Sequence, residues 1–226
     1  MATTYLNLVN RILRRLRETE VVNVSDTAYS SLIGDFVNEA KIWVEDSHGW
    51  IVGRSQLILN TISGVNSYTV TGIGQRYKLL DDPNNGRPAV YNLTSKYQLL
   101  MTISQRIRKD IALAVVQQQT PYYFAFEGAD STTGDPKILL YFTPDQVYSI
   151  EFNFYIPQDN LKSNIEVLLV PEEPVFYKAY SLAVSERGED GGTSFDEIDA
   201  FAKTALADAI RLDALKDDSE FEAYVN

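Results

Sequence analysis

The stretch from Ser25 to Trp50 restricts the fold of this chain more than any other. Its apolar positions are Tyr29, Leu32, Ile33, Phe36, Val37, Ala40, Trp43 and Val44. That spacing traces one stripe of an α-helix and no face of a strand. Ser25 or Asp26 stands where a first-turn cap belongs, and Gly49 where the helix should stop. A shorter helix precedes it from Tyr5 to Arg17, with Leu6, Val9, Ile12, Leu13 and Leu16 as its stripe. The brief connector between them predicts an antiparallel pair.

From Ser55 the hydrophobic period changes to two. Strands are expected at Gln56–Ile62, Tyr68–Val70, Arg76–Leu80 and Ala89–Leu93, punctuated by Gly64, Gly72, Gly74 and the Asp81–Gly86 turn. Ile103, Ile107, Ile111 and Val115 recur every four residues, so Leu99 to Val116 reads as helix. Further strands follow at Tyr122–Glu127, Lys137–Phe142 and Val147–Tyr155. In the last, Tyr148, Ile150, Phe152 and Phe154 alternate with mostly polar partners, as in an antiparallel sheet packed on one side. Ile165–Val170 is expected to close the β region.

Pro171 and Pro174 then mark the start of a helix whose stripe is Val175, Phe176, Ala179, Leu182 and Ala183. After an acidic, Gly-rich loop, a final helix is expected from Phe195 to Leu215. Its inward residues would be Ile198, Phe201, Ala202, Ala205, Leu206, Ala209, Leu212 and Leu215. The expected architecture is α+β: a helical bundle of N- and C-terminal helices with an inserted antiparallel β domain. The corresponding boundaries are 1–54 and 171–216 for the bundle, 55–170 for the β region and 217–226 for a tail.

Composition narrows the function classes. With no cysteine among 226 residues, disulfides, thiolate metal sites and a Cys nucleophile are all excluded. A formal charge of −11 argues against a general nucleic-acid binder. No run approaches the roughly 18–20 apolar residues of a membrane span, and residues 1–20 lack a signal-peptide core.

Catalytic motifs are equally scarce. His48, the one histidine, sits at a helix end and reads as a partner for terminal carbonyls rather than a general base oriented by Glu45 or Asp46. Gly72-Ile73-Gly74 begins like a dinucleotide fingerprint but lacks the third glycine and the following helix. The oxygen-rich run Asp130–Asp135 lacks calcium-loop spacing and reads as a hairpin turn. The neighbours Asp81 and Asp82 would point apart on an extended chain. No metal, cofactor or catalytic residue is therefore assigned.

Two candidate interaction surfaces remain. One is the basic cluster Arg11, Arg14, Arg15 and Arg17, whose alternative is a solvated face paired with Glu18 and Glu20. The other is the tail with Phe221, Tyr224 and Val225, whose alternative is a frayed terminus. Basic residues crowd the first helix and acidic ones the last forty residues, a polarity suited to ring assembly or stacking on a charged partner.

The run Arg14-Arg15-Leu16-Arg17-Glu18, the Ser25–Tyr29 helix start and Trp50 resemble head-to-tail adaptor proteins of tailed bacteriophages, of the tubular tail protein A and tail accessory factor type. Gln119–Tyr123, Tyr141–Tyr155 and Val170-Pro171 leading to Arg187-Gly188-Glu189 are similar too. The resemblance implies a non-enzymatic virion protein, made in the host cytoplasm and placed at the head–tail junction, away from any membrane. It implies a dodecameric ring of this chain below the portal, which receives the tail nozzle or tail tube and lets DNA pass without specific binding. It also implies that a C-terminal extension, here Phe221 to Asn226, grips the portal. Two other readings are a carbohydrate-binding or tail-associated β module, suggested by 14 Tyr, and a hydrolase with carboxylates gathered from distant positions.

Overall fold

The computed structural model describes residues 3–80, 89–113, 118–188 and 195–216. Along the chain run α1 (Tyr5–Arg15), α2 (Ala28–Ser47), a 3-10 turn (Ile51–Gly53), β1 (Arg54–Asn60), β2 (Ser67–Thr69), β3 (Lys78–Leu79), β4 (Val90–Asn92), β5 (Tyr97–Gln98) and β6 (Leu100–Met101). There follow α3 (Ser104–Leu113), β7 (Tyr123–Ala129), β8 (Pro136–Tyr141), β9 (Ser149–Tyr155), α4 (Glu172–Arg187) and α5 (Phe195–Ala214). The chain divides into two compact units, Met1–Gly53 with Pro157–Asn226, and Arg54–Ile156. N- and C-terminal helices pack together in the first, and sheets fill the second, so the fold is α+β.

In the helical unit α2 packs on α1 and α4, and α4 on α5. The cap of α2 is Thr27, beyond both residues the sequence suggested. Its hydroxyl accepts from Ser30 N at 2.9 Å, and Ser30 Oγ accepts from Thr27 N at 3.1 Å. Asp26 serves the preceding turn instead, accepting from Val22 and Asn23 N–H. Gly34 lies where α1 crosses: a Cβ there would stand 2.3 Å from Tyr5 Oη and 2.8 Å from Val24 Cγ1.

Residues 157–171 return to the helices without a regular strand. Ile165–Val170, expected as strand, contributes only an isolated bridge from Val167 to Thr4. Carboxamides take the place of a neighbouring strand. Leu161 N donates to Asn38 Oδ1 at 2.7 Å, and Asn38 Nδ2 donates to Leu161 O at 3.0 Å. Gln158 spans Val167 O and Leu169 N in the same way, and Asn10 spans both backbone groups of Val21. Beneath lies a fully buried ion pair. Lys41 Nζ donates to Glu45 at 3.1 Å and to Gln158 O at 2.6 Å, and Gln158 N donates back to Glu45.

In the β unit, β9 is central. It pairs antiparallel with β1 on one side, and with β3 and β4 on the other, while β5 continues from β4. The second sheet runs β2-β8-β7-β6. β1 and β2, separated by the Ser63–Asn66 turn, join different sheets, and Gly64 N donates to Pro144 O. One expectation is corrected here. Leu100 and Met101, read as helix, form β6 parallel to β7, because Leu100 N and Thr102 N donate to Tyr122 O and Phe124 O. α3 supplies the crossover that a parallel pair requires. The predicted alternation of β9 holds: Tyr148, Ile150, Phe152 and Phe154 are all buried, in a core shared with Phe124, Ile138 and Leu140. Phe124 and Phe152 meet edge to face at 6.0 Å.

Candidate partner interfaces

Thr4 caps α1, and an amphipathic stripe seats Leu8, Val9, Ile12 and Leu13 in the core. That rotation leaves the four arginines in unequal positions. Arg11 faces the start of α4: Nη1 lies 2.5 Å from Glu172 and Nη2 2.9 Å from Glu173, with the guanidinium 3.9 Å above the Phe176 ring. Burial opposes its charge, but the hydrogen bonds it donates to Glu173 and Glu172 outweigh burial and raise its pKa. Both acids occupy the first turn of α4, where the helix dipole favours anions. The charge of Arg11 is thus engaged within the chain. Arg14 is exposed and pairs with Glu20 at 3.1 Å. Arg15 and Arg17 are exposed, and no ion pair among the described residues engages either.

Arg17 carries a second peculiarity. Helix α1 ends in a Schellman arrangement, with Arg17 N donating to Arg14 O and Glu18 N to Leu13 O. The left-handed position of that motif, usually glycine, is Arg17 itself at φ 59°.

Sequence reasoning missed the residue that holds this corner. Arg187, at the end of α4, donates from Nε to Tyr29 Oη at 2.7 Å and from Nη1 to Leu16 O at 3.2 Å, and pairs with Glu18. Its ring partner Tyr29 lies 4.8 Å away. Burial would lower its pKa, but Glu18 and Tyr29 more than compensate and raise it. Glu18 therefore serves Arg187 rather than the α1 cluster. Farther along, Lys178 Nζ meets Asp199 at 2.8 Å, and Lys203 meets the same carboxylate at 2.8 Å. Lys178 and then Lys203 depress the Asp199 pKa.

The remaining motifs resolve into structural roles. His48 Nε2 faces Asp213 Oδ2 at 3.5 Å and stacks edge-on with Trp50. The carbonyl of Val44, in the last turn of α2, accepts from Trp50 Nε1 and Ser47 Oγ. Asp213 also accepts from Ile51 N at 3.0 Å. The Gly72–Gly74 amides do form an anion cradle, but its anion is Asp135, whose Oδ1 accepts from Gly72, Ile73 and Gly74 at 2.8–3.1 Å. These bonds, Gly74 foremost, lower the Asp135 pKa from 3.8. Asp130 Oδ1 accepts from Thr132 and Thr133, completing the expected turn. Among the described residues no cluster of three or more His, Asp or Glu is arranged to hold a metal ion, and no helix is long and apolar enough to cross a membrane. Asp81, Asp82, Phe221, Tyr224 and Val225 lie outside the described residues.

In chain order, helices thus precede and follow the β unit, and the helical unit carries internal charge clamps and an exposed basic corner at Arg14, Arg15 and Arg17. The family described as SU10 adaptor protein matches residues 3–222 of this chain. The chain belongs to the SU10 adaptor protein family. This adaptor is accordingly a phage head-to-tail adaptor, a structural component of the virion, as its N-terminal motifs suggested. No curated protein matches the adaptor.

Proposed function

We propose that the adaptor forms a homo-oligomeric ring that joins the portal to the tail nozzle or tube, and that DNA passes through its channel without catalysis or specific binding. The family match over residues 3–222 carries this reading. Arg14, Arg15 and Arg17 offer an exposed basic corner suited to an acidic partner ring, while Arg11 positions α1 against α4. Residues 217–226, with anchors Phe221, Tyr224 and Val225 among four acidic side chains, form the portal contact. The predominantly acidic composition limits adhesion of DNA in transit.

Sedimentation velocity of the adaptor, alone and mixed with the portal of the same genome, tests the reading. Co-migration of many adaptor copies with the portal, abolished by deleting residues 217–226, is the expected result. A 25.5 kDa monomer in both samples would refute it.

A further inference from the structure

The final helix departs from expectation on one side. Ile198, Ala202 and Asp213 are buried, but Phe201, Leu212 and Leu215, expected inward, are 56%, 59% and 72% exposed. They lie on one line of α5 together with Asp208, which is exposed and which no ion pair among the described residues engages. A second such line belongs to α3 in the β unit. Ile107 faces Ala125 and Leu139, while Ile103 at the helix start and Leu113 at its end are 64% and 76% exposed. Between them, on the same flank, stand Arg106 and Asp110, 3.9 Å apart. In β6, Leu100 and Met101 are exposed as well, on opposite faces of the strand.

The two lines match as mirror sequences. Ile103 to Leu113 spans about 15 Å of helix and Phe201 to Leu212 about 16.5 Å, at 1.5 Å per residue. Laid antiparallel, they set Leu113 against Phe201, Arg106 against Asp208 and Ile103 against Leu212. Asp110 then falls opposite the Thr204 hydroxyl. Reversing either helix breaks the series: Leu113 would meet Leu215 and Arg106 would still meet Asp208, but Ile103 would meet Ala205 and Phe201 would have no partner on α3. Net charge favours the same contact. The helical unit holds 11 basic and 23 acidic residues, and the β unit 9 and 8. Packing helical unit on helical unit would bring like charges together, whereas β unit on helical unit does not.

We infer that α3 of one copy docks antiparallel on α5 of a second copy. Each copy carries both stripes, so the contact is heterologous, the kind that builds a ring when its rotation closes. The inference rests on the ring reading above and gives that ring its lateral interface.

The absence of cysteine makes a direct test possible. Leu113→Cys and Phe201→Cys variants, each full length, are mixed under mild oxidation, alone and with the portal; a disulfide between the two species forms only across molecules. The Leu113/Phe201 pair is expected to cross-link several-fold faster than Leu113→Cys mixed with Leu215→Cys. Arg106→Asp and Asp208→Arg should each weaken self-association about tenfold, and the double exchange should restore it. All positions are exposed, and circular dichroism checks that each variant folds. If wild type self-associates while the cross-link is absent and the charge exchange rescues nothing, this interface is overturned and the ring stands. A wild type that never exceeds one copy, with or without portal, overturns both. A defect confined to portal binding reassigns the face to the portal and overturns the inference.

Discussion

The helical and β units solve the same burial problem with different materials. The helical unit, with 11 basic and 23 acidic residues, adds polar devices to an apolar core that includes Ile12, Val37 and Phe176: the buried Lys41–Glu45 pair, three backbone-spanning carboxamides, and the Arg11 and Arg187 clamps. The β unit, nearly balanced in charge, is held by aromatic packing around Phe124, Phe152 and Phe154. Polar devices need every partner in place, because a buried charge or amide left alone is costly. Aromatic packing tolerates change in proportion to the volume lost. The unit with the most charge therefore has the narrower tolerance for single substitutions.

The sharpest way to break this contrast is a pair of large substitutions. Glu45→Ala leaves Lys41 charged and buried, and should destabilise the helical unit by about 3–5 kcal/mol. Phe152→Ala should cost the β unit a similar amount, about 3–5 kcal/mol. Both tryptophans, Trp43 and Trp50, belong to the helical unit, so fluorescence in denaturant reports on it alone. Glu45→Ala should shift that midpoint and spare amide-exchange protection along β9, and Phe152→Ala should do the reverse. Replacing Lys41 and Glu45 together with Met and Leu should recover most of the loss; failure of that rescue would refute the polar account.

Gly34→Ala comes next. The added carbon meets Tyr5 Oη and Val24, so overpacking of about 1–3 kcal/mol should outweigh the better helix propensity of alanine. A raised fluorescence midpoint would show that α1 yields at this crossing. Arg17→Gly runs the other way. Relieving a left-handed arginine should stabilise α1 by about 1 kcal/mol. Loss of portal or tail binding in the same variant would mark Arg17 as a partner contact kept at a cost in stability.

The smallest effect is one of pH. Burial, then Asp35 and Glu166, raise the Tyr5 pKa to about 12. A raised pKa in the folded state means that the contribution of Tyr5 is complete below the ordinary 10.0 and declines as pH rises toward 12. Melting temperatures across that window should fall more steeply for wild type than for Tyr5→Phe.

Much of this fold is legible in local periodicity. The stripe of α2 and the alternation of β9 are written in consecutive residues, and the structure follows them closely. Sheet membership is not local. Nothing in Gln56–Val70 says that β1 and β2 part company, because that depends on β9 and β8 arriving some eighty residues later. Likewise the carbonyls of Tyr122 and Phe124 override the four-residue period at Leu100. α5 shows a different limit: its apolar residues form two adjacent faces, and only one is covered by this chain. Of the candidate interface, the arginine cluster is visible in sequence, but the engagement of Arg11 by Glu172 and Glu173 is not. Arg187 could have been noticed as a basic residue at a helix end followed by glycine, yet its partners lie about 170 residues away.

One pairing carries a consequence for how such a protein changes over time. The β unit begins at Arg54 and ends near Tyr155, and those two residues face each other across antiparallel strands. Its ends are therefore about 5 Å apart, a gap that a tight turn spans. As far as chain connectivity is concerned, the helices could be joined there by two residues as readily as by a hundred. A genome could lengthen, shorten or exchange everything between Arg54 and Tyr155 without breaking the chain path of the helical unit.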